Sequence, residues 1–228
     1  MTTTRAGGIS APPFDTFNLG DHVGDDPKAV EANRKRLAAA IGLPSNRVVW
    51  MNQVHSARVV TVTEPRTRPV DDTDALVTAI PRLALAVITA DCVPVLLADA
   101  RAGVVGAAHA GRVGAADGVV LRTVEAMLGL GANTDDISVL LGPAVSGPNY
   151  EVPEDMAADI EARLPGSRTT TPSGTPGLDL RAGITRQLND AGIAAVETDP
   201  RCTAADRALF SHRRDAPTGR LASVVWME

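Results

Sequence analysis

The chain is poor in cysteine, histidine, aromatic residues and lysine. Two cysteines among 228 residues are too few for a disulfide-stabilised scaffold. Aromatic residues make up only 3% of the chain, so its core must be built mainly from Val, Leu, Ile and Ala. The only lysines are Lys28 and Lys35, and the other basic residues are all arginine, a bias from which no function follows.

The chain also lacks an excess of positive charge and a long apolar run. Its formal net charge of -5 argues against non-specific binding to nucleic acid or to an acidic membrane. The most apolar stretch, residues 83–97, is interrupted by polar residues and is too short to span a bilayer. No apolar segment follows residues 1–5, so no signal peptide is expected. We expect a cytoplasmic protein, and the sequence leaves its protein partners open.

The length and the 44% of apolar residues favour a single domain covering residues 1–228. Asp26-Pro27 is a helix start signal, because Asp caps the free N–H groups and Pro fits the first turn. Apolar spacing predicts interleaved helices and strands. The predicted helices cover residues 26–41, 116–128, 153–164 and 179–190. The predicted strands cover residues 48–50, 59–62, 83–88, 94–98, 103–108 and 137–141. Residues 64–72 and 165–177 are predicted loops, and residues 208–210 and 221–226 a terminal hairpin.

Three short motifs each carry one ligand for a soft metal: Gln53-Val54-His55, Ala90-Asp91-Cys92 and Ala108-His109-Ala110-Gly111. One thiolate and two imidazoles suit a zinc-type ion, and three protein ligands leave a fourth position open, as in catalytic sites. Each residue taken singly also has an ordinary structural role, because buried Cys and His are common in cores. The spacing matches no local zinc-finger pattern.

Cys92 and His109 are both expected where buried strands meet loops, which is where sites are often built. The small residues after His109, including Gly111, allow a ligand to approach the backbone closely. Asp91 is a candidate for supporting the metal ligands or for transferring a proton. Its alternative role is a cap at the end of a strand.

Several further motifs complete a recognisable set. They are Thr89-Ala90-Asp91-Cys92-Val93-Pro94-Val95, Leu141-Gly142-Pro143-Ala144, Tyr150-Glu151-Val152 and Phe210-Ser211-His212-Arg213-Arg214-Asp215. Together with the histidine motifs, they resemble the laccase-domain (YfiH-type) family, also named polyphenol oxidase or purine nucleoside phosphorylase. The resemblance covers essentially the whole chain in the same order. It implies an α+β fold of mixed β-sheets flanked by helices, with Zn²⁺ bound by His55, Cys92 and His109.

The resemblance also implies chemistry on nucleosides. Members of the family cleave adenosine, inosine or methylthioadenosine with phosphate to the base and a ribose 1-phosphate, and they deaminate adenosine. For deamination, the metal would activate water for attack on C6 of adenine, and Asp91 would carry the proton to the departing ammonia. For phosphorolysis, zinc or a proton donor near the base would stabilise negative charge on the departing purine, and arginines would hold the phosphate. Asp91, Cys92 and His109 are the candidate catalytic residues.

The chain departs from the usual family pattern at three places. The family usually continues His-Ala-Gly-Trp-Arg-Gly, whereas this chain has Arg112 directly after Gly111 and no tryptophan there. Asn149 precedes Tyr150 where a cysteine is common, and His212 stands where tyrosine is common. None of these changes touches the three expected metal ligands.

Phosphate binding calls for cationic side chains, because a guanidinium binds phosphate oxygens in a bidentate way. The candidates for binding substrate or phosphate are Arg5, His22, Arg112, Arg213, Arg214 and Arg220. The arginines near the terminal hairpin have an alternative role as solvated or Asp215-paired groups. His22 has an alternative role in ordering its own loop.

Three other functions remain open. The family is also credited with amide cleavage in peptidoglycan precursors, for which Cys92 would be the nucleophile and His109 the base. Copper-dependent phenol oxidation follows from the older family name, but it usually needs more histidines than the four present. A metal-stabilised interaction module is the non-enzyme alternative.

Overall fold

The computed structural model describes all residues from 1 to 228. Its helices are α1 (Pro27–Ala40), α2 (Arg112–Ala116), α3 (Val119–Gly129), α4 (Glu154–Arg163), α5 (Leu180–Asp190) and α6 (His212–Asp215). Its strands are β1 (Val48–Val49), β2 (Val59–Thr61), β3 (Ala75–Thr78), β4 (Ala84–Thr89), β5 (Val93–Asp99), β6 (Val104–Ala110), β7 (Ile137–Leu141), β8 (Arg168–Thr170), β9 (Pro176–Leu178), β10 (Ala195–Thr198) and β11 (Leu221–Val225).

The strands form two stacked sheets and a small hairpin. The larger sheet has the order β10-β7-β5-β6-β3-β2, the smaller has the order β1-β4-β11, and β8 pairs with β9. Both main sheets mix parallel and antiparallel pairs, for example β1 parallel and β11 antiparallel to β4. Together with the flanking helices, this arrangement confirms the predicted α+β class with mixed sheets.

Strand β4 is buried on both faces, which explains its continuous apolar sequence. Leu85 and Val87 belong to the apolar layer between the two sheets, together with Leu96 and Val105 of the larger sheet. The alternate residues of β4 pack with Leu37 of α1 and its neighbours on the opposite side. A third apolar cluster fills the space between the larger sheet and the helices α3, α4 and α5. This apolar packing on both sides of the sheets fixes the positions of the strand ends, where Cys92 and His109 lie.

The helix start signals are confirmed. The Asp26 side chain accepts a hydrogen bond from the Lys28 N–H at 3.0 Å, and α1 begins at Pro27. Asp179 accepts in the same way from the Ala182 N–H at 3.1 Å and begins α5. Each cap satisfies one of the amide groups that the first helical turn leaves without a partner.

The predicted helix over residues 116–128 is wrong in its extent, because the chain forms two helices there. Gly118 has a φ of 82°, a left-handed conformation that separates α2 from α3. Glycine adopts this conformation at little steric cost. The first of the two helices, α2, begins at Arg112, directly after the His109 motif.

Two predictions for the second half of the chain are wrong. The predicted loop over residues 165–177 contains the hairpin β8–β9, whose start is fixed by the Glu161 carboxylate accepting from the Gly166 and Arg168 N–H groups. The predicted terminal hairpin does not form, because β11 pairs with the open edge of β4 and residues 212–215 form α6. Strands β3 and β10 were not predicted. No helix is both long enough and apolar enough to cross a membrane.

Candidate active site

The fold brings His55, Cys92 and His109 together. His55 lies in the loop between β1 and β2, Cys92 in the turn between β4 and β5, and His109 near the end of β6. Their candidate ligand atoms all lie within 4.8 Å of one another, and Cys92 Sγ is 3.9 Å from His55 Nε2. For comparison, ordinary zinc bond lengths in a tetrahedral site place sulfur and nitrogen about 3.5 Å apart. The two imidazoles and the thiol therefore fit a soft divalent ion.

Two residues of the site have a left-handed backbone that is unfavourable for side chains other than glycine. His55 has a φ of 62° and Asp91 a φ of 97°. Gln53 holds the His55 loop in place, since its side-chain amide donates to the Ile88 carbonyl at 2.8 Å and accepts from the Ile88 N–H at 2.9 Å. Such conformations persist where surrounding contacts enforce them, and they are frequent at functional sites.

Asp74 is a central residue of the site that the sequence reasoning missed. Its side chain is fully buried, and Oδ1 accepts from His109 Nδ1 at 2.9 Å and from the His55 N–H at 3.0 Å. Its other oxygen accepts from the Val54 N–H and from both the N–H and hydroxyl of Ser56. One carboxylate therefore fixes both histidines of the Cys/His cluster. Asp74 directly precedes the short strand β3, which was not predicted, so no predicted element drew attention to this residue.

The bond to Asp74 also determines which His109 nitrogen is available. With Nδ1 donating to the carboxylate, Nε2 is left to bind a metal, and a carboxylate partner of this kind orients the ring and raises its basicity. Burial opposes ionisation of Asp74, but the hydrogen bonds from His109 and Ser56 outweigh it and lower the carboxyl pKa. Asp74 is thus held as the anion that His109 requires.

The thiol and the imidazole also shift each other's ionisation. Burial opposes ionisation of Cys92, but the positive charge and hydrogen bond of His109, with a smaller contribution from His55, lower the thiol pKa to about 6. Burial likewise opposes protonation of His109, but Cys92 and Asp74 raise its pKa to about 9. The thiolate is therefore the form of Cys92 at neutral pH, and it is the form that binds metals.

Glycine is required at position 111. A Cβ atom there would lie 2.7 Å from His55 Cδ2 and 3.3 Å from Cys92 Sγ. Gly111 also precedes the first residue of α2. The backbone therefore passes directly against two of the three metal ligands, which explains the small residue that the sequence analysis noted here.

The three ligands open into a cavity of about 310 Å³. Of the residues predicted to act on substrate, this cavity is lined by His22, Asp91, Arg112, Arg213 and Arg220. Its apolar part is formed by Ile88, Val145, Tyr150 and Leu180. Cationic and apolar side chains thus line the same cavity beside the Cys/His cluster.

Asp91 lines the cavity, but its carboxylate already has three protein donors. Oδ1 accepts from the hydroxyls of Thr203 at 2.6 Å and Ser211 at 2.7 Å, and Oδ2 accepts from the Arg213 N–H at 2.6 Å. These bonds attach the segment carrying α6 to the turn that carries Cys92. They give Asp91 an anchoring position, close to the alternative of a strand-end cap, while Oδ2, which accepts from a single N–H, keeps acceptor capacity.

Arg5 and Arg214 do not line the cavity. Arg214 donates to the carbonyls of Thr203, Asp206 and Leu209 and to the Asp215 carboxylate. Arg5 donates to Asp15 and lies over the Phe210 ring at 5.0 Å. Both guanidinium groups are therefore used to hold the chain around α6, and the structure does not bring them to a substrate.

Tyr150 is a cavity residue to which the sequence analysis gave no role. The Arg213 guanidinium lies over its ring at 5.1 Å. Burial, reinforced by Cys92, raises the pKa of the phenol, against the opposing effect of Arg112 and Arg213. The Tyr150 phenol therefore remains a hydrogen-bond donor at neutral pH.

Arg220 also lines the cavity. Burial lowers the pKa of its guanidinium, while Cys92 and Asp91 act to raise it.

Comparison with known proteins gives matches over the full chain. The family described as "Multi-copper polyphenol oxidoreductase laccase" matches residues 1–228. A purine nucleoside phosphorylase of Mycobacterium tuberculosis is 73% identical, covering 100% of this chain and 91% of that protein. A purine nucleoside phosphorylase of Corynebacterium glutamicum is 56% identical, covering 99% of this chain and 92% of that protein.

Among solved structures, the hypothetical protein YfiH of Bacillus licheniformis matches with a TM-score of 0.94 and 34% identity. The match covers 100% of this chain and 91% of the YfiH chain. The fold and the predicted family resemblance are both confirmed. The chain belongs to the YfiH-type family of laccase-like proteins.

Proposed function

We propose that this protein is a zinc-dependent purine nucleoside phosphorylase, which cleaves adenosine, inosine or methylthioadenosine with phosphate to the base and a ribose 1-phosphate. The observation that carries the proposal is a three-residue Cys/His cluster at a cavity lined by both arginines and apolar side chains. The relatives named purine nucleoside phosphorylase support an enzyme of this class.

The cationic and apolar side chains fit the two parts of the reaction. Arg112, Arg213 and Arg220 are the arginines positioned to bind phosphate, since guanidinium groups match its oxygens in geometry and charge. The apolar side chains Ile88, Val145 and Leu180 offer a surface for the purine. Holding phosphate and nucleoside together in one cavity supplies the proximity that a two-substrate reaction requires.

Residues of the protein are placed to bind the metal ion and to stabilise the anionic phosphate. His55, Cys92 and His109 would hold the ion, and Asp74 fixes the orientation of both histidines. A bound zinc ion supplies a Lewis acid with an open position that stabilises negative charge or activates water. The arginines stabilise the anionic phosphate, and preorganised charges of this kind usually make a large contribution to catalysis.

A second activity, adenosine deamination, rests on the same three-ligand arrangement. Three protein ligands leave one coordination position for water, which is the requirement for hydrolytic attack on the purine ring. We assign both activities to one cavity. Asp91 is the candidate for moving the proton to the leaving ammonia, since it lines the cavity and its Oδ2 accepts from a single N–H.

A specific geometry favours one competing function. Asp74 and His109 form a hydrogen-bonded pair of carboxylate and imidazole, and the Cys92 thiol lies within 4.8 Å of the imidazole, which resembles the arrangement used by cysteine hydrolases. An amidase acting on peptidoglycan precursors would use the thiolate as nucleophile. A tightly metal-bound thiolate is not free for that role, so metal content separates the two functions.

The deciding experiment is chromatography of the products that purified protein forms from adenosine with and without phosphate. Phosphorolysis predicts adenine and ribose 1-phosphate only when phosphate is present, while deamination predicts inosine in both conditions. Elemental analysis of the same preparation distinguishes zinc from copper and is expected to find zinc.

The matched control uses the two cysteines. Cys92→Ala is expected to lose both metal and activity, whereas Cys202→Ala, which removes the other free cysteine outside the cluster, keeps both. Metal-loaded protein that leaves adenosine untouched contradicts the nucleoside assignment. Amide cleavage by metal-free protein that is lost in Cys92→Ala establishes the competing function.

A further inference from the structure

A second concave site shares no lining residue with the catalytic cavity, although its Asp21 neighbours the cavity residue His22. This groove of about 420 Å³ lies between the first half of α1, residues 45–50 and the loop at residues 66–69. We define it by its charged and aromatic lining: Asp21, Glu31, Arg34, Lys35, Trp50, Arg66 and Arg68. Its volume falls within the range of small-molecule sites, roughly 300–1,000 Å³.

The groove has a rigid arginine at its floor. The Arg34 guanidinium lies 4.3 Å over the Trp50 ring, and its Nε donates to the Leu19 carbonyl at 2.9 Å. Its Nη1 contacts the Asp21 carboxylate at 3.2 Å, and the side chain is only 17% exposed. A guanidinium has five N–H donors, so this arginine is held in one position with donors to spare.

The charges of the groove do not cancel. Asp21 compensates Arg34 and Glu31 pairs with Lys35, but neither Arg66 nor Arg68 has an acidic partner within ion-pair distance. The groove therefore carries a net charge of roughly +2 in a protein whose formal net charge is -5. A surplus of two positive charges in a concave site matches a dianion better than a monocarboxylate.

We propose that this groove is a second ligand site, which binds a small molecule bearing a phosphate monoester. A phosphate monoester carries about -1.5 to -2 charges at neutral pH and has three acceptor oxygens. Arg66 and Arg68 supply the uncompensated charge, and Arg34 supplies preorganised donors. Trp50 is covered by Arg34, so the site offers little exposed aromatic surface for stacking a nucleic-acid base.

Asp21 gives the site a distinctive property. Its carboxylate lies in the groove and competes with an incoming anion for Arg34. The hydrogen bond to the neighbouring His22 and the charge of Arg34 hold the pKa of Asp21 at about 2, against the effect of burial, so it is ionised at neutral pH. Removing this charge is therefore expected to tighten anion binding, whereas removing the arginines weakens it.

The test is calorimetric titration of the zinc-loaded protein with D-ribose 5-phosphate. Arg66→Gln combined with Arg68→Gln is expected to weaken binding at the groove about tenfold or more, and Asp21→Asn to strengthen it about threefold. Arg122→Gln, an exposed arginine on α3, is the matched control and leaves the affinity unchanged. A parallel titration uses Trp226→Phe, which leaves Trp50 as the only tryptophan and reports binding by fluorescence.

The catalytic cavity has to be separated from the groove, because a sugar phosphate is expected to enter both. Arg213→Gln changes only the catalytic cavity and is expected to leave the Trp50 signal intact. The proposal is overturned if the Trp50 signal does not saturate, if the Arg66/Arg68 double variant binds like Arg122→Gln, or if Asp21→Asn weakens binding. These outcomes are independent of whether the protein cleaves nucleosides.

Discussion

Asp74→Asn is the substitution that most directly tests how the site is held. The change keeps the size of the side chain but replaces one acceptor oxygen by an NH₂ donor. If the NH₂ takes the Oδ1 position, it faces His109 Nδ1 and the His55 N–H. If it takes the Oδ2 position, it faces the N–H groups of Val54 and Ser56. Either orientation places the NH₂ against at least one backbone N–H, and at the Oδ1 position it also forces His109 Nδ1 to change from donor to acceptor.

The expected loss follows from these contacts. At least two hydrogen bonds to a buried charged group disappear, each contributing about 1.5 kcal/mol or more, so the free energy of unfolding should fall by about 3 kcal/mol. An amide also favours the His109 tautomer that carries its proton on Nε2, the atom needed for the metal. Metal affinity should therefore fall roughly 10- to 100-fold.

Two assays measure these effects. Denaturant unfolding of metal-free protein gives the stability change, and competition with a chromophoric chelator gives the zinc affinity. Asp71→Asn is the matched control, because Asp71 is exposed and its carboxylate makes no hydrogen bond. If Asp74→Asn matches this control in both assays, the carboxylate does not organise the site and the reasoning is refuted.

Two further predictions concern the metal ligands. Gly111→Ala should lower zinc affinity at least about tenfold while the protein stays folded, because the added Cβ would overlap the His55 ring. Gly129→Ala is the control and should not change the affinity, because Gly129 has open space around it. Equal zinc affinities of the two variants would contradict the close approach of Gly111 to His55. In metal-free protein on a Cys202→Ser background, alkylation of Cys92 should rise with pH around a midpoint near 6. His109→Gln removes the positive charge that favours the thiolate, so the midpoint should move to higher pH; an unchanged midpoint would show that His109 does not lower the thiol pKa.

The local elements of the fold could be predicted from the sequence. Strand β4 could be predicted because an apolar run buried on both faces is visible in composition alone, and α1 because Asp26 and Pro27 form its cap. The partner of β11 could not be predicted, since pairing with β4 depends on which sheet edge is open in three dimensions. The break at Gly118 was missed because a single glycine inside a helical pattern is usually tolerated.

The same distinction between local sequence patterns and long-range contacts applies to the candidate site. The three residues that the fold brings together as candidate metal ligands could be predicted because each lies in a recognisable motif. Asp74 was missed because its role depends on contacts 18 to 35 residues away in sequence, which no local pattern records. Arg5 and Arg214 were grouped with the substrate-binding arginines by residue type alone, and only their hydrogen bonds reveal that they are used inside the fold.

The most direct test of the account is a zinc titration of the metal-free protein, followed by the phosphate-dependent release of purine from a nucleoside. The account predicts that activity rises with added zinc and stops rising at one equivalent per chain, and that Cys92→Ala stays inactive throughout. Full activity without metal, or phosphate-dependent activity that survives in Cys92→Ala, would contradict the claim that the His55–Cys92–His109 cluster is the catalytic centre.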